Sequence, residues 1–118
     1  MIEIKGDTAY VFLDGDLDVA AVPEVVEAIR LALAMGVARI VVDLGAVTFL
    51  DSSGIHAIVT GYHDAARVGA GFAIGPAPAR IARVLELCGL RDGLSVEPVV
   101  RTERGTRRSG SGAAGSPR

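Results

Sequence analysis

Apolar and polar side chains alternate in Ile2-Glu3-Ile4-Lys5, the period of a strand with one covered face, and Gly6-Asp7 follows as a turn signal. Residues 9–13 form a second apolar segment, so the opening pair is expected to fold as a hairpin. The period then lengthens. Val22, Val25, Val26, Ile29 and Leu33 recur at three- and four-residue steps, the stripe of a helix that buries one side. Pro23 suits its first turn, Glu24 and Glu27 complement its dipole, and Gly36 ends it. Residues 38–44, with Ile40-Val41-Val42 at their centre, are apolar without alternation, as in a central strand covered on both faces.

A second helix is predicted from the serines at 52 and 53 to about Arg67, with Ile55, Ile58, Val59, Tyr62 and Ala66 as its inner stripe. Gly69 and Gly71 bracket the turn into a strand at Phe72-Ala73-Ile74. Pro76 and Pro78 open a third helix, in which Ile81, Val84, Leu85 and Cys88 are expected to face inward. Gly89-Leu90 reads as its glycine cap, and Leu94-Ser95-Val96 as a short edge strand limited by Pro98. Helical crossovers between successive strands imply parallel pairing. The expected fold is an α/β domain, a small mixed β-sheet with an opening hairpin and helices packed on it.

Charge divides the chain. Residues 1–100 carry seven Lys/Arg against thirteen Asp/Glu, whereas residues 101–118 carry five Arg and one Glu. A single domain over 1–100 and a disordered basic tail over 101–118 are therefore expected, because Arg, Gly, Ser and Pro bury too little surface to offset their ordering entropy. An acidic body lacks the basic face that a nucleic-acid backbone requires, so no direct nucleic-acid partner is expected. The lone Cys88 excludes an internal disulfide and fits a reducing compartment. The opening residues resemble no signal peptide, no apolar run is long enough to insert in a membrane, and a cytoplasmic location is expected.

The densest chemistry lies in Phe49-Leu50-Asp51-Ser52-Ser53-Gly54-Ile55-His56, which joins the central strand to the second helix. Two hydroxyls and a carboxylate then stand where unpaired N–H groups and the helix dipole favour an anion such as phosphate. Either serine would also serve as an ordinary helix cap. Asp51 has two readings, a structural cap or a helper of phosphotransfer. Asp14-Gly15-Asp16-Leu17-Asp18 adds three carboxylates, read as a solvated turn or as a partner-contacting element. His56 is four residues after Ser52 on the same helical ridge, and His63 a further seven along. A Ser–His nucleophile pair lacks an orienting third group, and a two-His metal site lacks further ligands. Walker, Gly-x-Ser-x-Gly and Gly-x-Gly-x-x-Gly motifs are absent, so neither a cofactor nor a metal is expected and the chain does not read as an enzyme.

Three signals together resemble the STAS domain: the Gly15-Asp16-Leu17-Asp18 turn, Asp51-Ser52-Ser53-Gly54, and Cys88-Gly89-Leu90. Among STAS proteins the chain is most similar to bacterial anti-sigma factor antagonists, over residues 2–97. The resemblance implies a phosphorylation switch at Ser52. In such proteins the anti-sigma factor is a serine kinase. The unphosphorylated antagonist binds it and frees the sigma factor, phosphorylation releases it, and a serine phosphatase resets the cycle. Asp16, Asp18, Asp51, Ser53, Gly54 and His56 are the expected partner-binding residues. His56 departs from the small residue usual at its position, which alters the surface beside the phosphosite. The alternative is a STAS subunit of another complex, such as a lipid-transport ATPase assembly, that binds its partner without phosphorylation.

Electrostatics fits a switch of this kind. A phosphate adds about −1.5 to −2 charges at neutral pH. At roughly 6 Å and an effective dielectric of about 20, each like-charge pair with a neighbouring aspartate costs about 2–3 kcal/mol.

Overall fold

The computed structural model describes residues 1–88. The expectations for Gly89-Leu90, for a strand at 94–96 and for the tail from Arg101 lie outside the described residues. Strand β1 (Ile2–Lys5) turns back antiparallel on β2 (Thr8–Leu17), with Ile4 opposite Ala9 and Lys5 opposite Thr8. The turn is tied down by its own backbone: the Asp7 carbonyl accepts the Ala38 N–H at 2.7 Å, at the entry to β3 (Arg39–Leu50). Helix α1 (Val22–Ala34) crosses from β2 to β3, and α2 (Ser52–Arg67) from β3 to β4 (Gly71–Ile74). Helix α3 (Ala79–Leu87) follows, after the two expected prolines. Spatial order in the sheet is β1-β2-β3-β4, with β2, β3 and β4 mutually parallel. This is the small mixed α/β sheet the crossovers imply.

Register shows which face becomes the core. Ile2 lies opposite Val11, Ala9 opposite Ile40, Val11 opposite Val42, and Ile40 and Val42 opposite Phe72 and Ile74. Paired residues point to the same side, so these side chains form one apolar face. Val25, Ile29 and Ala32 of α1, Ala57, Ile58 and Ala65 of α2, and Ile81 and Leu85 of α3 join it in a single buried cluster.

Two inner stripes differ from expectation. In α2 the fully buried line runs through Gly54, Ala57, Ile58, Gly61 and Ala65; Ile55 and Tyr62 pack half-buried against the core as expected, and Ala66 is exposed. Helix proximity explains the rotation, because a Cβ on Gly61 would overlap Cδ1 of Ile29 on α1. Small residues are buried there because the helix axes come close, a demand that apolarity alone does not reveal. In α3, Ile81 and Leu85 point inward but Cys88 is exposed, one residue past the helix. Between α1 and α2, the mostly buried Asp64 accepts from Arg30 Nε at 3.4 Å and from Arg67 one turn on. Its charge is therefore paired where burial would otherwise penalise it.

Both central strands outrun their apolar stretches. Asp14, Gly15 and Asp16, expected in a turn, continue β2 beside residues 46–49 of β3. Leu13 and Leu17 are buried while Asp14 and Asp16 are exposed, so the strand period persists through the carboxylates. The register shifts twice, between Phe12 and Asp14 and between Gly15 and Asp16. Each shift takes an extra residue on β3, which is 12 residues long against 10 for β2. Asp43 Oδ1 accepts the Gly45 N–H at 2.8 Å within the first irregularity, and Gly15 adopts a φ of 70° beside the second.

Candidate functional site

The two bulges bring the ends of β2 and β3 level, with Leu17 opposite Leu50. An aspartate follows each strand at once and starts a helical segment. Asp18, extended at φ −114°, accepts the Ala20 N–H at 3.1 Å and opens a 3-10 turn (Val19–Ala21) that leads into α1. Asp51, extended at φ −112°, accepts the N–H groups of Ser53 at 2.9 Å and Gly54 at 3.1 Å and caps α2. Neighbouring strands run about 4.8 Å apart, so these two caps stand side by side. This is the carboxyl end of a parallel sheet, where α/β folds gather their binding sites.

Asp51 thus has the structural role of its two readings, and neither serine caps the helix. Ser52 is the first helical residue and is exposed; Ser53 is half-buried. Gly54, expected among the partner-binding residues, is buried instead. A Cβ there would overlap the Leu17 carbonyl oxygen and lie 2.8 Å from Leu50 Cδ1. Its part is to let the helix start press against the end of β2, not to offer surface. Asp16 is exposed and accepts the Thr48 hydroxyl at 2.8 Å, and the Thr48 carbonyl accepts from Arg80 Nη2 of α3 at 2.7 Å. His56 is exposed one turn after Ser52, while His63 packs its ring against Tyr62 with centroids 5.5 Å apart.

Two apolar residues escaped the sequence reading. Val19, next to Asp18, is 72% exposed, and Phe49, two before Asp51, is 48% exposed. Both adjoin the capping aspartates and fit no inner stripe, the signal by which they could have been found. Exposed apolar side chains next to the two capping aspartates, at the end of the sheet that carries Ser52, suit contact with a protein partner. Among the described residues no group of three His, Cys, Asp or Glu side chains could hold a metal ion, and no helix is long and apolar enough to cross a membrane.

The Asp51 cap can be tested directly. Asp51→Ala is expected to lower stability by about 1–2 kcal/mol, and Asp51→Asn, which can still cap, to stay near wild type. Urea unfolding of the two variants checks this, and equal losses would remove the cap from the account.

The sequence model of the STAS domain matches residues 1–103. An anti-sigma factor antagonist from Mycobacterium paratuberculosis is similar in structure, with 25% identity, 85% of each chain covered and a TM-score of 0.74. The anti-sigma factor antagonist SpoIIAA in its unphosphorylated form shares 21% identity, covering 84% of this chain and 88% of its own at a TM-score of 0.68. The phosphorylated form of the Bacillus cell fate determinant SpoIIAA gives 22% identity, 84% and 91% coverage and a TM-score of 0.62.

Proposed function

The chain belongs to the STAS domain family, and on that premise we propose that it is an anti-sigma factor antagonist switched by phosphorylation at Ser52. Unmodified, it binds an anti-sigma factor that is also a serine kinase, and so frees a sigma factor. Phosphorylated, it lets go until a serine phosphatase removes the group. In this reading the domain works in the cytoplasm as a binding module, and the kinase supplies the chemistry.

One observation carries the reading: Asp51, not a serine, caps α2, which leaves Ser52 exposed at the first helical position. A hydroxyl not needed for the fold is available for modification. Val19 and Phe49 at this end of the sheet give a partner apolar surface, and Asp18 and Asp51 add negative charge at the level ends of β2 and β3. Added phosphate at such an edge raises the cost of bringing a partner over it.

Phosphopeptide mapping of the protein from its own cells, with its co-purifying partners, tests the proposal. Phosphate on Ser52 and a soluble serine kinase retained only by the unmodified form are expected. Ser52 unmodified in every growth condition, with membrane-transport subunits co-purifying instead, would favour the alternative STAS assembly.

A further inference from the structure

His56 lies four residues after Ser52 in α2, and the two form one exposed ridge. Side chains at this spacing have Cβ atoms about 5–6 Å apart. Every Cα–Cβ bond in a helix tilts towards its N-terminus, so the His56 imidazole leans over the turn that carries Ser52. His63, seven residues further on with its ring tilted against Tyr62, cannot reach that turn.

Three carboxylates at this end of the molecule are already engaged, and a fourth, Asp14 of β2, is exposed. Asp51 holds two amides of α2, Asp18 holds one amide of the 3-10 turn, and Asp16 accepts the Thr48 hydroxyl of β3. Arg80 of α3 donates to the Thr48 carbonyl, and Glu24 and Glu27 of α1 line a groove beside Met1 and Ile2 of the hairpin. Among the described residues His56 has no hydrogen bond or ion pair. Its imidazole stands at the spacing at which a phosphate on Ser52 would meet it within its own helix.

We propose that His56 binds the phosphate of phosphorylated Ser52, as an intrahelical phosphoserine–imidazolium pair. The inference rests on Ser52 as the modified residue. Pairing draws the phosphate back along α2, against its N-terminal turn, and screens part of its charge from Asp51 and Asp18. The modified form is thereby held in one arrangement, and protonation of the imidazole strengthens the hold.

The test uses the full chain with phosphoserine installed at position 52 during synthesis, followed by 31P NMR through the second phosphate ionisation. That ionisation has its midpoint near pH 6 in an unperturbed phosphoserine. An imidazolium about 6 Å away in a mostly aqueous setting lowers the midpoint by about half to one unit. The helix dipole acts alike in all variants, so comparison with His56→Ala isolates the pair. Wild type is expected to titrate about half to one unit below His56→Ala, with His63→Ala matching wild type. Coincident curves for wild type and His56→Ala would overturn the pair. Because the phosphate is supplied synthetically, the result does not depend on any kinase. If the pair is found but the phosphorylated protein still binds its partner as the unmodified form does, the functional reading fails and this inference stands.

Discussion

Gly54→Ala is expected to destabilise the domain by about 2–3 kcal/mol, although alanine is the better helix former. Propensity alone would favour alanine by about 1 kcal/mol in a helix. The added methyl would overlap the Leu17 carbonyl oxygen and sit 2.9 Å from Leu17 Cβ and 2.8 Å from Leu50 Cδ1. The carbonyl belongs to a strand backbone held on one side by β3, so it cannot turn aside as a side-chain end can. Forced overlap in a packed interior typically costs about 1–3 kcal/mol and more against backbone. For a domain with about 5–15 kcal/mol of total stability, that is a large share. Gly61→Ala serves as the comparison. Its added methyl meets Cδ1 of Ile29, the flexible end of a side chain, and a smaller loss is expected. Urea unfolding of both variants decides the matter, and a Gly54→Ala protein as stable as wild type would refute the close approach of α2 to β2.

Under the proposed function, Ser52→Asp is expected to weaken binding to an anti-sigma factor about a hundredfold, with Ser52→Ala within about threefold of wild type. The hydroxyl is exposed and is not the cap, so its removal leaves the helix start intact. A carboxylate in its place joins Asp51 and Asp18, whose strands end level with each other. One such like-charge contact, confined at an interface, costs about 2–3 kcal/mol, and each 1.4 kcal/mol is tenfold in affinity. The shift should shrink at high salt to the extent that the charges stay hydrated. Calorimetric titration of the co-purified kinase with each variant measures it. If both variants bind as wild type does, Ser52 is not the switch.

Much of this was legible in the residues themselves. The hairpin, the glycine end of α1, the entry of α2 at the Asp51 motif and the prolines before α3 are all local devices, and local devices leave their mark in a short window of sequence. So does the resemblance of Asp51-Ser52-Ser53-Gly54 to the STAS family, whose model the chain matches. The run from Asp14 to Asp18 misled because aspartate and glycine favour turns in isolation. Continued pairing with an equally extended β3 outweighed that preference.

The sequence by itself determined the order of the described strands and helices, most of the inward stripe of α1 and the membership of the STAS family. Tertiary structure alone decided the rest. Two extra residues on β3 set Asp18 beside Asp51, close helix contact buried Gly54 and Gly61, and Val19 and Phe49 were left on the surface. Each of these depends on the distance between elements far apart in the chain. Hydrophobic periodicity reports which side of an element is covered, but not how near the covering element comes.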